Sequence, residues 1–387
     1  MSNAELRADI ESLAGTVRRF TRERIAPHVP AWEQAGEVPR ELHREAAALG
    51  LLGLGYPEAL GGTPAPLALR HTAAQVMARE CGSGGVLAAL FTHNIGLPPI
   101  LRHGSPELQR EVIPPVLAGE KIAALAITEP GGGSDVAALR TTARLDGGDY
   151  VIDGEKTFIT SGLRADWITV AVRTGEPGSK GAGGVSMIVV PGNAKGLTRT
   201  RLDKMGWHAS DTGHLRFDGV RVPRRYLVGE EGAGFRIIMT NFNGERLAMS
   251  AMALGFCEAC FDEALDWSRQ RRTFGSALVE KQVVRHKLVD MRMRIESTRA
   301  WLDAVTARAD DGKLESDPDC VAQACTLKNH ATQAMQFCAD AAVQTLGGMG
   351  FMRGTKSERI YREVKVMMIG GGAEEIMKDL AARQWQL

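Results

Sequence analysis

The sequence lacks a charge imbalance: 47 lysines and arginines stand against 46 aspartates and glutamates, for a formal net charge of +1 over 387 residues. That balance gives no electrostatic support for binding nucleic acid or a membrane surface, though a local basic spot can still hold a phosphorylated small molecule. Long apolar runs are also missing. No stretch approaches the ~18 residues that span a bilayer, and the first residues are polar and mixed in charge, so neither a membrane span nor a signal peptide is expected. There is no disulfide framework either. The six cysteines (Cys81, Cys257, Cys260, Cys320, Cys325 and Cys338) are scattered, as suits reduced thiols and a cytoplasmic location. Cys257 and Cys260 lie i, i+3 within a helical pattern without the second ligand pair zinc would need, so no metal site is expected. Fixed-period repeats and low-complexity segments are absent.

What is present is 44% hydrophobic content, enough for a sizeable core and two or three domains. Up to about Lys121 the apolar residues recur at helical spacing, as with Leu6, Ile10, Leu13 and Val17. Pro27, Pro30, Pro39, Gly61-Gly62 and Pro98-Pro99 mark breaks between short helices. Near Ile122 the pattern changes to alternating β-branched residues. Segments 150–152 and 156–160 flank Asp153-Gly154, read as a hairpin turn, with a second turn at Gly147-Gly148. Segments 167–173, 185–190 and 214–222 read as further strands, and 175–184 as a glycine-rich mobile loop. After Gly232 the helical period returns in three long segments, 235–269, 280–310 and 319–346. The predicted fold class is α+β: an N-terminal helical domain (1–121), a middle antiparallel β domain (122–232) and a C-terminal four-helix bundle (233–387).

One loop carries possible chemistry. In Leu125-Ala-Ile-Thr-Glu-Pro-Gly-Gly-Gly-Ser-Asp135, Pro130 stops the strand that carries Ala126 to Thr128, three glycines permit close backbone approach, and Ser134 or Asp135 can cap a helical turn over 136–139. The exposed N–H groups suit a phosphate, a carbonyl or the polar rim of a ring cofactor, and equally a plain tight turn. The order helices, strands, helices argues against a doubly wound sheet, and so against a dinucleotide fingerprint here.

Four motifs in order give a family resemblance: Thr128-Glu-Pro-Gly-Gly-Gly-Ser-Asp135; Arg271-Arg-Thr-Phe-Gly275 followed by Gln282; Gln344-Thr-Leu-Gly-Gly-Met-Gly-Phe351; and the tail from Tyr361-Arg-Glu-Val-Lys365 to Ile376. The chain resembles the acyl-CoA dehydrogenase family over nearly its whole length. That resemblance implies an FAD enzyme that removes hydrogens from Cα and Cβ of an acyl-CoA thioester, passes electrons to an electron-transferring flavoprotein, and assembles as a homotetramer, a dimer of dimers. It further implies that Leu125, Ile127, Thr128, Gly133, Ser134, Phe158, Ile159 and Thr160 line the flavin. Arg271, Thr273, Phe274 and Gln282 would hold the pyrophosphate region, partly from a neighbouring subunit. Gln344, Gly347 and Gly348 would meet the adenine end, and Ala373 and Glu375 would close over the cofactor. An arginine paired with a pyrophosphate and glycines that admit it are physically apt.

The base has moved from its common place. Many members of this family carry the proton-abstracting Glu in the C-terminal tail; here the tail reads Ile369-Gly-Gly-Gly-Ala-Glu-Glu-Ile376, and Gly371 stands at that position. A subset, including isovaleryl-CoA and long-chain acyl-CoA dehydrogenases, resembles this chain in that substitution and takes its base from an earlier Glu-Arg-Leu. Here that is Asn243-Gly-Glu-Arg-Leu-Ala248, which assigns the role to Glu245. Gly371 keeps the backbone N–H that, with a flavin ribityl hydroxyl, would bind the thioester oxygen. Arg246 would touch CoA, with Ser134, Asn243 and Gly372 also near substrate. The expected substrate is medium- to long-chain or methyl-branched. The alternatives are an oxidase or flavin monooxygenase-like member of the same fold, and a non-catalytic FAD-binding protein, against which the Glu-Arg-Leu motif speaks.

Overall fold

The computed structural model describes residues 3–175 and 181–387. Its first part comprises α1 (Asn3–Phe20), α2 (Val29–Ala35), α3 (Arg40–Ala48), α4 (Leu67–Cys81), α5 (Gly84–Phe91), α6 (His93–Gly96), α7 (Pro98–His103) and α8 (Pro106–Leu117). Local chemistry divides them. Pro98 and Pro99 open α7, the Ser105 hydroxyl caps α8 by accepting from Leu108 N, and Gly82 ends α4 in the left-handed region at φ +58°. Among the described residues, no single helix is long and apolar enough to cross a membrane.

The middle part holds β1 (Ala123–Ala126), β2 (Thr142–Asp146), β3 (Asp149–Thr160), β4 (Trp167–Arg173), β5 (Val185–Pro191), β6 (Leu197–Arg201), β7 (Thr212–Pro223) and β8 (Leu227–Val228). They form one sheet in the order β6-β7-β3-β2-β4-β5-β8, with β1 against β4. The sheet is not wholly antiparallel as expected: β1 runs parallel to β4, and β2 meets β4 in parallel where Thr142 faces Arg173. Two intervening strands give the chain the length a parallel return requires.

The turn expected at Asp153-Gly154 is also corrected. β3 passes straight through it as one strand, and its pairing with β7 shifts register between Ile152 and Gly154. Gly154 sits at φ +145°, where an added Cβ would come 2.7 Å from Thr141 Cα, so this glycine permits a bulge and a close strand approach. The β2–β3 hairpin turns at Gly147-Gly148. β1 ends at Ala126, so Ile127 and Thr128 already belong to the loop. Polar β6, Leu-Thr-Arg-Thr-Arg at the sheet edge, shows no apolar alternation and went unread. The loop expected over 175–184 lies partly outside the described residues.

The last part contains α9 (Gly234–Gln270), a hairpin of β9 (Arg272–Thr273) and β10 (Ser276–Ala277), α10 (Gln282–Asp310), α11 (Lys313–Ser316), α12 (Pro318–Leu346), α13 (Gly348–Phe351), α14 (Lys356–Ile369) and α15 (Glu374–Trp385). The three long helices run within two residues of their expected limits. Gly255 lets α9 lie against α4, since an added Cβ would collide with the Gln75 carbonyl. Cys257, Cys260 and Cys338 are buried and free.

Helix α9 serves two cores. Ile237 and Ile238 pack with the sheet residues, whereas Leu247, Leu254 and Phe256 pack in the helical core with Met291, Ile295 and Leu327. Glu245 therefore stands on the stretch of α9 that passes between the two cores.

Candidate active site

The glycine loop and β3 are joined by a buried ion pair. Lys156, fully buried on β3, donates from Nζ to the Ile127 carbonyl and to Glu129 Oε1, both at 2.8 Å. Glu129 also accepts from the backbone N–H groups of Arg140 (2.7 Å) and Thr141 (2.8 Å). Burial pushes Lys156 down to about 8 against the pull of Glu129. Burial acts to raise Glu129, but Lys156 and the bonds from Thr141 outweigh it and hold the carboxyl below its ordinary value. Thr157 N donates to Thr128 O at 2.9 Å, which draws Leu125, Ile127 and Thr128 up to Phe158, Ile159 and Thr160.

Phe158 lies at a second register shift of β3, between Lys156 and Ile159. Its φ is +60° and it is 70% exposed. A left-handed, exposed phenylalanine costs about 1–3 kcal/mol unless something uses it. Gly133 and Ser134 are exposed on the loop beside it. The cap expected of Ser134 or Asp135 is not made: Val136–Ala138 is a 3₁₀ turn that begins at Asp135 without a side-chain bond. The residue types and their openness fit a planar ring laid against this wall.

A second group lies at the ends of the long helices. Arg271 follows α9 and is exposed; Phe274 (φ +49°) and Gly275 (φ +82°) form the tip of the β9–β10 hairpin, with Phe274 99% exposed. Positive φ at both central residues is what a tight two-residue turn requires. Thr273 sits on β9, and exposed Gln282 opens α10. At the end of α12, Gln344, Gly347 and Gly348 are exposed, and an added Cβ on either glycine would meet nothing within 4 Å. A cleft of about 340 Å³ opens nearby, lined by Trp267 and Gln270 of α9 together with Leu346 and Met349. Among the described residues no hydrogen bond links this group to the glycine loop.

The third group gathers the remaining residues. Glu245 is partly open as a residue, yet its Oε2 is sealed from solvent and has no hydrogen-bond partner. Burial pushes its carboxyl up to about 7, with Arg246 and Lys328 pulling the other way. Arg246 is 4% exposed, and its contacts are protein groups: Nε donates to the Gly371 carbonyl at 3.2 Å and Nη1 to Asn243 Oδ1 at 2.8 Å. Asn243 thus supports Arg246. Gly371 (φ +67°) and Gly372 (φ +113°) form the turn between α14 and α15, and Gly371 N–H has no protein acceptor among the described residues. Ala373 precedes α15, and Glu375 is exposed on its first turn.

Three buried charges were missed in the sequence. Lys328 on α12 donates from Nζ to the Met368 and Gly372 carbonyls, both at 2.8 Å. Glu363 on α14 accepts from Gly84 N (2.7 Å) and Trp207 N (3.2 Å), and so ties together all three parts of the chain; burial raises its carboxyl to about 7. Lys156 is the third. A lone charge on the apolar face of a helix or strand is the available signal, since such residues are rarely buried without a partner.

The geometry brings together an exposed wall at the glycine loop and, on α9, a raised carboxyl whose neighbour Arg246 bonds the glycine turn. Three family profiles match the chain: "Acyl-CoA dehydrogenase, N-terminal domain" over residues 7–120, "middle domain" over 124–220 and "C-terminal domain" over 232–386. The chain belongs to the acyl-CoA dehydrogenase family. It is 37% identical to the mitochondrial long-chain specific acyl-CoA dehydrogenase of Sus scrofa, covering 95% of this chain and 84% of that one. It is 36% identical to cyclohexane-1-carbonyl-CoA dehydrogenase of Geobacter metallireducens, with 97% of each covered. The crystal structure of an acyl-CoA dehydrogenase from Geobacillus kaustophilus superposes with a TM-score of 0.93 at 32% identity, covering 100% of this chain and 99% of that one.

Proposed function

We propose that the chain is an FAD-dependent acyl-CoA dehydrogenase that converts an acyl-CoA thioester to its trans-2-enoyl-CoA with Glu245 as the base. The observation that carries this reading is the Glu245 carboxylate: one oxygen sealed and unpaired, raised to about 7, and coupled through Arg246 to the Gly371 turn. A carboxyl raised that far is a stronger proton acceptor than one in water, and near neutrality a large share of it is still ionised. The free amide of Gly371 would accept the negative charge that develops on the thioester oxygen as Cα loses its proton to Glu245. Bound FAD would accept the hydride equivalent from Cβ.

For FAD, we assign Leu125, Ile127, Thr128, Gly133, Ser134, Phe158, Ile159 and Thr160 to the ring side. Arg271, Thr273, Phe274, Gln282, Gln344, Gly347 and Gly348 would take the pyrophosphate and adenine side of a neighbouring subunit's cofactor. The separation of these two groups within one chain supports that division, and a homotetramer supplies the neighbour. Ala373 and Glu375 would close over the cofactor, and Ser134, Asn243, Arg246 and Gly372 would border the substrate. Domains at 1–121, 122–232 and 233–387 belong to the same reading. Electrons would pass to an electron-transferring flavoprotein.

The substrate we favour is a medium- to long-chain or methyl-branched acyl-CoA. The test is an anaerobic titration of the flavin absorbance with a panel of acyl-CoAs. Bleaching by one chain class supports the reading and names the substrate; bleaching by none would sink it. Glu245→Gln should keep its FAD and lose the bleaching.

A further inference from the structure

We propose that Lys328 is a positioning residue for this reaction: it clamps the 370–373 turn from inside the helical bundle and, together with Arg246, adds a positive charge that acts on Glu245. The inference rests on the assignment of Glu245 as base.

The turn is weak by composition. Gly370, Gly371 and Gly372 follow one another, two of them at positive φ, so the backbone has little preference of its own for the observed shape. Its shape is set from outside, through carbonyls. Lys328 Nζ takes those of Met368 and Gly372, Arg246 Nε takes that of Gly371, and Asn329 Nδ2 takes that of Glu374 at 2.9 Å. With its carbonyls tied to α9 and α12, the turn has no freedom to rotate the Gly371 amide out of the site.

The charge does a second job. Lys328 is fully buried, and its two bonded partners are neutral carbonyls. A buried ammonium is costly unless an anion compensates it. The groups that act on it are, in order of strength, Glu374 from the start of α15, Arg246 and Glu245 from α9, and Cys325 from its own helix. Burial lowers Lys328 to about 8, so it still carries its proton at neutral pH. Among the described residues, the charges that act on Glu245 are Arg246 and, less strongly, Lys328. A packing residue would need neither the charge nor the two carbonyl bonds; an aliphatic side chain would serve better there.

The experiment measures flavin reduction by a reactive acyl-CoA against pH in FAD-loaded Lys328→Met and Lys328→Gln, with FAD content and thermal stability recorded alongside. Loss of the charge raises the Glu245 carboxyl further, so the rising limb of the profile should move to higher pH by about half a unit or more, with the plateau rate down roughly tenfold. Lys328→Arg should restore the position of the limb. Folded, FAD-loaded variants whose limb stays at the native pH would overturn the proposal, whatever their rate, because a purely structural lysine changes stability without moving that limb. Should Lys328→Met not fold, Lys328→Gln, which keeps a donor, carries the same test. Glu245→Gln separates the two ideas: if its reduction rate is near native, the base assignment fails, and this inference with it.

Discussion

Arg246 donates its Nε to the carbonyl of Gly371 at 3.2 Å, and so fastens the helix that carries Glu245 to the glycine turn between α14 and α15. The proposed base and the glycine turn are thus linked by one hydrogen bond through the neighbouring residue.

Glu245 makes a prediction about pH. Its folded carboxyl lies at about 7, above the ordinary value of 4.5, because burial disfavours the charged form. On the proposed mechanism flavin reduction needs the Glu245 carboxylate, so its rate should rise with pH through about 7 and level off above. Stability runs the opposite way: the folded state holds a proton that the unfolded state has lost between 4.5 and 7, so this group's contribution falls across that window. Glu245→Gln should flatten both dependences, read by stopped-flow absorbance and by thermal melts across pH.

Restoring a carboxylate at the tail should fail without a second change. A side chain at Gly371 must adopt φ +67° and meets Met249 Sδ at 2.7 Å. Gly371→Glu should lower stability by roughly 2–4 kcal/mol and give no activity in a Glu245→Gln background. Adding Met249→Ala removes the collision, and chemical denaturation should then show part of the loss recovered. Full recovery by Gly371→Glu alone would show that the turn yields more readily than its clamps imply.

Lys156→Met should be severe. It leaves Glu129 buried without its cation and frees the Ile127 carbonyl, a change worth about 3–5 kcal/mol. FAD content after purification should fall along with melting temperature, because the pair holds the glycine loop against β3. A variant with native flavin content would show that the loop keeps its place by other means.

Phe274→Ala separates subunit effects from folding. With the side chain 99% exposed in the single chain, its removal should shift the melting temperature of a monomer by little. If a neighbour's cofactor rests on it, the same change should lower FAD affinity roughly tenfold or more and weaken the oligomer, seen by flavin release and sedimentation velocity. Unchanged flavin binding and assembly would remove Phe274 from the cofactor site.

Much of this protein was legible without coordinates. Periodicity located α9, α10 and α12 because a long amphipathic stripe is a local signal, and the motifs around Thr128, Arg271, Gln344 and Gly371 are short and contiguous. The Gly371 substitution and the Glu-Arg-Leu at 245–247 could be read together because the absence of one carboxylate directs attention to another. Asp153-Gly154 misled for the same reason: a turn-forming pair is a local preference, and pairing with β7 on one side of β3 overrode it in favour of a bulge.

What only the tertiary structure decided are relationships between distant segments. Lys328 touching Gly372, Lys156 holding Ile127, and Glu363 bridging Gly84 and Trp207 leave no trace in spacing, since the partners lie far apart along the chain. Whether such a residue is solvated or buried depends on what packs against it, and only burial makes its few hydrogen bonds strong enough to fix a turn or to shift a carboxyl. The residue types and their order were therefore written in the chain itself. The poise of Glu245 and the shape of the glycine turn come from the helices folded around them.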